Sequence, residues 1–119
     1  MDVCNKKYDF SKISMKIIMP AGDARTKAQE AFDAALNQDF ESARDLINDA
    51  DEYIKDAHRA QTEIMQQLAS DEYNGDDCVI LPMLFIHAQD TIMTIMSEVN
   101  ITKQNIQILE KVEEIIWKK

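Results

Sequence analysis

The chain has very few residues that turn or break a backbone, with two glycines and two prolines among 119 residues. Sheet proteins need many short turns, which glycine and proline most often provide. Their scarcity favours a few long helices, so we expect an all-α fold. The length is typical of a single domain with its own core. We expect one domain over residues 1–119, with residues 1–12 and 118–119 loosely ordered.

Basic residues and long hydrophobic runs are also scarce. Thirteen basic against twenty-two acidic residues give a net charge of -9, which disfavours binding to nucleic acid or to an anionic membrane surface. Apolar runs such as Leu81 to Ile86 fall far short of the roughly 20 residues that span a bilayer. The segment Met1 to Cys4 lacks the pattern of a secretory signal. These features predict a cytoplasmic protein that does not insert into membranes.

Apolar residues recur at helical spacing in two segments before residue 70. The first runs from about Ile13 to Leu36 and the second from about Phe40 to Ala69, with Asp39 placed to cap the second helix. Pro20 lacks a backbone donor and should kink the first helix or mark its start. The short connection between the segments favours antiparallel neighbours, and the polar stretch 70–77 is predicted to be a loop.

The third predicted helix, from about Cys78 to Trp117, has two apolar stripes. One stripe should face the core of the subunit: Leu81, Phe85, Ala88, Ile92, Ile95, Val99, Ile106, Leu109 and Ile116. A second lies on roughly the opposite side: Ile80, Met83, Thr94, Ile101, Ile108 and Ile115. A three-helix monomer would leave the second stripe in water. We therefore expect an antiparallel three-helix bundle that self-associates through the third helix.

His87 and Asp90 are two polar residues within this second stripe, three positions apart and on one helical face. An unpaired carboxylate on an apolar interface is costly, and copies brought together around an axis repel one another. A divalent cation bound by one Asp90 oxygen from each copy would compensate, and oxygen ligands favour magnesium (Mg²⁺) or calcium. Periodicity alone leaves His87 open as a structural histidine, a metal ligand or a nucleophile, and the structural role is the commonest.

Four short sequence elements stand out together along the chain. They are Ala21-Gly22-Asp23-Ala24-Arg25, then Asp39-Phe40-Glu41 with Ala43, then Ala57-His58 with Gln61-Thr62, and finally the segment from Phe85 to Thr94, which reads FIHAQDTIMT. In sequence, order and approximate spacing they resemble elements of one known family, the lactose/cellobiose IIA components (EIIA) of the bacterial sugar phosphotransferase system.

The resemblance implies a homotrimer of three-helix subunits with a phosphohistidine at His87 and an axial metal on Asp90. It also implies phosphoryl transfer from HPr to His87 and onward to a cysteine of the cognate B component (EIIB). A sugar of the lactose, cellobiose or chitobiose type is then phosphorylated during import. The sugar itself is not identified, because specificity resides in the membrane partner.

One departure from the family pattern adjoins the site. Thr91 stands where the family usually has a second histidine, which removes a titratable group. An alternative hypothesis is therefore a divergent trimeric helical protein that binds or regulates a partner and has lost phosphotransfer.

The remaining polar candidates are assigned minor roles. Gln89, Gln61 and Thr94 are conceivable donors to a phosphoryl group, although ordinary solvated roles are commoner. His58 lies near the core-facing stripe of the second helix, which favours a structural hydrogen bond. A ferritin-like carboxylate metalloenzyme is excluded because neither histidine follows a glutamate by three residues.

Overall fold

Three long α-helices make up the protein in a computed structural model that describes residues 7–73 and 80–117. They are α1 (Phe10–Leu36), α2 (Phe40–Tyr73) and α3 (Met83–Trp117), and no β-strand occurs within the described ranges. The predicted all-α class is thereby confirmed. The bundle is a rod of about 69 × 22 × 18 Å.

The helix directions follow from pairs of residues that meet across the bundle. Tyr8, just before α1, donates a hydrogen bond to Asp71 near the end of α2, so these two helices are antiparallel. The rings of Phe10 and Phe85 lie 5.1 Å apart at the beginnings of α1 and α3, so α3 runs parallel to α1 and antiparallel to α2. The start of α3 is thus held beside the start of α1.

The α1–α2 connection is a tight reversal. Gln38 adopts a left-handed φ of 66°, a conformation typical of helix C-termini. The Asp39 N–H then bonds back to the Ala34 carbonyl at 2.9 Å. Asp39 caps α2 as predicted, because its carboxylate accepts from the Ser42 N–H at 3.1 Å. The hydroxyl and N–H of Ser42 lower the pKa of this carboxyl group.

The helix ends differ from the predicted ones by several residues. Helix α1 begins at Phe10 instead of Ile13 and continues through Pro20. Helix α2 continues to Tyr73, so the start of the predicted 70–77 loop is helical, while residues 74–77 lie outside the described ranges. Helix α3 begins at Met83 instead of Cys78, and its first backbone bonds run from the N–H groups of Phe85 and Ile86 to the Pro82 carbonyl.

Small side chains on α1 allow the helices to approach closely. The core contains alanines from all three helices, and it divides into a main cluster around Ile17, Phe85 and Ile92 and a smaller one around Ala31 and Ile106. Tyr8 and Phe10 are also buried. Both lie within residues 1–12, for which loose order is expected, and residues 1–6 and 118–119 lie outside the described part.

Ion pairs connect α3 to both neighbouring helices. Arg25 on α1 donates two hydrogen bonds to Glu98, at 2.7 Å and 3.0 Å, which raise the pKa of the guanidinium. On the other side of α3, Lys103 Nζ lies 2.6 Å from an oxygen of Asp51 on α2. These pairs are partly exposed, and each is expected to contribute only about 0.2–1 kcal/mol. They nevertheless mark the sides of α3 that face α1 and α2. The remaining side of α3 is covered by neither helix.

Ser14 provides a test of the core. It is fully buried, and its hydroxyl has no hydrogen-bond partner among the described residues. An unsatisfied buried hydroxyl costs free energy, so we expect Ser14→Ala to raise the free energy of unfolding by about 1 kcal/mol. Urea denaturation measures this change. Ser11→Ala, at an exposed position of the same helix, controls for the higher helix propensity of alanine. A loss of stability in Ser14→Ala would contradict the assignment of an unpaired hydroxyl.

Candidate functional site

The inner stripe of α3 is buried over its central part. Six residues face α1 and α2 with little or no exposure: Phe85, Ala88, Ile92, Ile95, Val99 and Ile106. This confirms the predicted core face from Phe85 to Ile106. The prediction was wrong at its two ends, because Leu81 and Ile116 are exposed. Leu81 precedes the helix, and Ile116 lies in its final turn.

The outer stripe of α3 is exposed in the single chain. Met83 is 78% exposed, and the three isoleucines Ile101, Ile108 and Ile115 are 56%, 59% and 51% exposed. These isoleucines are seven residues apart and therefore lie along one line of the helix. Soluble monomers rarely leave such a row of large apolar side chains in water. The outer face of α3 is thus an unpartnered apolar surface.

His87 and Asp90 lie on this outer face, in the first turns of α3, and both are exposed. Their backbone is well anchored, because the adjacent Phe85 and Ala88 are buried in the main core cluster. Asp90 makes no hydrogen bond or ion pair with any described residue. The structure therefore presents an imidazole and a carboxylate to solvent from a rigid helix.

The imidazole of His87 has one polar neighbour among the described residues. Thr91, one turn further along α3, places its hydroxyl oxygen 3.4 Å from His87 Nε2. The same hydroxyl donates to the His87 carbonyl at 2.7 Å. Sequence spacing put these residues on one face, but the paired contacts to the ring and to the backbone require coordinates. The residue that departs from the family pattern thus touches the candidate nucleophile.

Gln61 and Gln89 do not belong to the His87 face. The Gln61 amide donates to the Gln89 carbonyl oxygen at 2.9 Å, and the Gln89 amide donates to the sulfur of Met65 at 2.9 Å. Gln89 lies two residues after His87, about 200° around the helix, and therefore faces α2. The two glutamines form a bridge between α2 and α3. Thr94 is exposed on the outer face, and no hydrogen bond involving its side chain is seen within the described residues.

His58 is exposed on α2 and makes no hydrogen bond with a described residue. The structural hydrogen bond expected at this histidine is not seen among the described residues. Ala57 is the buried residue of that turn. His58 follows it, about 100° further around the helix, and therefore lies outside the core. His58 and His87 are therefore both exposed histidines, and within the described ranges Thr91 provides His87 with a polar partner close to its ring.

A single copy of the chain offers no complete metal centre within residues 7–73 and 80–117. No group of three histidine, cysteine or acidic side chains converges there. Asp90 offers one exposed carboxylate on the outer face, so a cation bound there would need carboxylates from further copies. None of the described helices is long and apolar enough to cross a bilayer.

The sequence profile of the lactose/cellobiose-specific IIA subunits of the phosphotransferase system matches residues 12–110. The chain belongs to this family. The lactose-specific EIIA component of Lacticaseibacillus casei is 33% identical over 109 residues, which cover 92% of this chain and 93% of that protein. The profile match extends over most of each of the three helices and includes the segment around His87. The resemblance seen in the four sequence elements is confirmed.

Solved structures of family members have the same fold. The cellobiose-specific Enzyme IIA from Bacillus anthracis aligns with a TM-score of 0.78 and 29% identity, covering 90% of this chain and 94% of that one. The IIA(Chitobiose) subunit in the IIA(Chitobiose)-HPr complex of Escherichia coli aligns with a TM-score of 0.73 and 25% identity, covering 89% and 98%. The chain is therefore a sugar phosphotransferase-system IIA component with the helical bundle of its family.

Proposed function

We propose that this IIA component is a cytoplasmic phosphocarrier that accepts a phosphoryl group from phospho-HPr on His87 and passes it to a cysteine of the cognate B component. The observation that carries the proposal is the exposed imidazole on an anchored helix, within the family's signature segment. Exchange between proteins requires such exposure, because donor and acceptor must each reach the same nitrogen. The HPr complex of the chitobiose relative supports HPr as the donor.

The chemistry needs little from the protein besides position. A neutral imidazole nitrogen attacks the phosphorus with its lone pair, a nitrogen–phosphorus bond forms, and the bond to the donor atom breaks with its electron pair left on the donor. Histidine suits this relay because a large fraction is neutral near cellular pH. Rate enhancement then comes from alignment and from hydrogen-bond donors to the phosphoryl oxygens. The same steps in reverse order deliver the group to the thiolate of the acceptor.

The proposed assembly is a homotrimer in which the outer faces of α3 meet around a threefold axis. The exposed isoleucines Ile101, Ile108 and Ile115 support it, since parallel copies would bring each into a layer with its equivalents. His87 would then lie at a groove between subunits, near the axis but open to a partner protein.

Asp90 would face the same axis one turn from His87. Three Asp90 carboxylates with water could hold a magnesium ion, which prefers oxygen ligands in a six-coordinate shell. The ion would have a structural role, offsetting the repulsion between the carboxylates. The transfer step does not require the ion to touch the phosphoryl group.

The Asp90→Leu variant tests the bound ion and the trimer separately. We expect wild type to be a trimer that retains magnesium, and the leucine variant to remain a trimer without it, because apolar replacement of buried charges is often neutral or stabilising. Light scattering gives the mass and elemental analysis the bound metal. A monomeric wild type at micromolar concentration would overturn the trimer. Magnesium retained by the leucine variant would overturn the axial site.

The function itself is tested by incubating the protein with phosphoenolpyruvate, Enzyme I and HPr. Wild type should gain acid-labile, alkali-stable phosphate at a rate comparable with that of an active family member in a parallel reaction. Omission of HPr should prevent the gain. If the family member is phosphorylated and this chain is not, the phosphocarrier proposal fails, and the alternative of a trimeric binding or regulatory paralogue takes its place.

The substrate sugar is left open in this proposal. Relatives of this chain are named for lactose, cellobiose and chitobiose. Since specificity is expected in the membrane partner, transfer assays with purified B components of each class would identify the system that this protein serves.

A further inference from the structure

The contact between Thr91 and His87 has a part that is general to helices and a part that is particular to this site. Thr26 and Thr102 also donate their hydroxyls to the carbonyl four residues earlier, at 3.2 Å and 2.8 Å. Such bonds are common for threonine within helices. The residues four positions before Thr26 and Thr102 are Gly22 and Glu98, so of these three threonines Thr91 is the one that follows a histidine at this spacing. Its hydroxyl therefore lies beside the imidazole as well as the carbonyl, 3.4 Å from Nε2.

The hydroxyl of Thr91 has one proton and two acceptors within reach. In the structure the Thr91 hydroxyl donates its proton to the His87 carbonyl oxygen, at an oxygen–oxygen distance of 2.7 Å. The hydroxyl oxygen lies 3.4 Å from Nε2. That carbonyl is within a helix, so it already accepts the regular backbone bond and does not depend on the threonine. Rotation about the Cβ–Oγ bond can redirect the proton to a group near Nε2 without moving the backbone.

We propose that the Thr91 hydroxyl donates a hydrogen bond to the phosphoryl group carried on His87 Nε2. This inference rests on the proposed phosphocarrier function and adds a residue to it. A phosphoryl group on Nε2 places its oxygens on the side of the ring that Thr91 already contacts. No described basic side chain contacts His87, which leaves the Thr91 hydroxyl as the donor seen beside its ring within the described residues.

The transfer of the phosphoryl group to His87 needs no proton from Thr91. His87 attacks through the Nε2 lone pair while Nδ1 holds the ring proton, the new Nε2–phosphorus bond forms, and the donor atom keeps the electron pair of the broken bond. Thr91 lends its proton as a hydrogen bond to a phosphoryl oxygen and does not transfer it. A hydroxyl does not titrate near neutral pH, so its contribution should not change across the pH range of an imidazole.

The test compares Thr91→Val, which is nearly isosteric but lacks the hydroxyl, with Thr91→Ser, which retains it. Thr102→Val is the matched control, because it removes the same backbone bond from α3 far from the histidine. In a single-turnover assay with phospho-HPr, we expect Thr91→Val to slow phosphorylation of His87 about tenfold, the scale of a lost hydrogen bond to a charged group. The concentration of HPr that gives half-maximal rate should not change. Thr91→Ser and Thr102→Val should react at nearly the wild-type rate.

Phosphorus NMR supplies a readout that a purely structural role would not affect. The phosphohistidine resonance should be that of an Nε2-linked group, and it should shift in Thr91→Val and not in Thr102→Val. Equal rates and resonances for Thr91→Val and wild type would overturn the inference. So would equal slowing in both valine variants, which would indicate a general effect on the helix. If wild type takes up no phosphate, the proposed function fails as well, and the two failures are thereby distinguished.

Discussion

Replacement of His87 by glutamine is expected to abolish phosphoryl uptake completely. The glutamine amide is a similar size but has no nucleophilic lone pair of comparable basicity, so no stable bond to phosphorus can form. His87 is exposed and lies beside anchored residues of α3. The substitution should therefore change the free energy of unfolding by no more than about 0.5 kcal/mol, as is usual at surface positions. The measurements are phosphate incorporation from phospho-HPr and a urea titration of the same sample.

His58→Gln is the control for this variant. Both histidines are exposed on helices, and neither belongs to the core. His58 lies on α2, outside the outer face of α3, and should be dispensable. We expect His58→Gln to incorporate phosphate at the wild-type rate. Undiminished phosphorylation of His87→Gln would assign the phosphoryl group to another residue.

The second large effect is expected from Phe85→Ala. This side chain is 2% exposed and packs in the main core cluster with the Phe10 ring. Deletion of a buried aromatic ring typically costs about 3–5 kcal/mol, because the cavity that it leaves is only partly filled. Since a domain of this size is stable by about 5–15 kcal/mol, the loss would be a large share of the total. Urea denaturation at a fixed protein concentration measures it.

Phe32→Ala is the matched substitution. Phe32 is only partly buried, beside the smaller core cluster, so its removal leaves less of a cavity. We expect a distinctly smaller loss than for Phe85→Ala. A loss in Phe85→Ala no larger than in Phe32→Ala would contradict the central position of Phe85 in the core. Because Phe85 anchors the turn before His87, the alanine variant should also be phosphorylated more slowly.

Much of the fold follows from periodicity in the sequence. The steps of three and four between Phe85 and Ile106 identify the core face of α3, and the alanines of α1 identify a close helix contact. These patterns are reliable because burial depends on the helical repeat along many turns. The same helical spacing predicts the exposed isoleucines of α3, because a second apolar line on one helix stands out among polar residues.

The helix ends and the second histidine were harder to predict. The extra turn of α2 past Ala69 contains only polar residues and a tyrosine, so no apolar spacing marks it. Tyr8 and Phe10 form part of the core although they precede the periodic segment, because Tyr8 meets Asp71 across the bundle. His58 lies one position from a buried alanine, and an error of one residue in a helix corresponds to about 100°. A sequence pattern does not resolve such a rotation near the edge of a face.

Side-chain pairing in the site also required coordinates. Gln61 and Gln89 are 28 residues apart, and only the packing of α2 on α3 brings their amides to 2.9 Å. The sequence motif identified His87 as the candidate phosphoryl acceptor, but it left the role of Thr91 undetermined. The position of its hydroxyl between a carbonyl and Nε2 makes it a candidate partner of the phosphoryl group.

Peptide mapping of the phosphorylated protein is the most direct test of the central proposal. Wild type would be labelled with phosphoenolpyruvate, Enzyme I and HPr, kept at alkaline pH to preserve phosphohistidine, digested, and analysed by mass spectrometry. The proposal predicts that the phosphoryl group is found on the peptide that contains His87 and is lost from it when the B component is added. Phosphate on His58 instead, or none while an active family member is labelled in parallel, would contradict it.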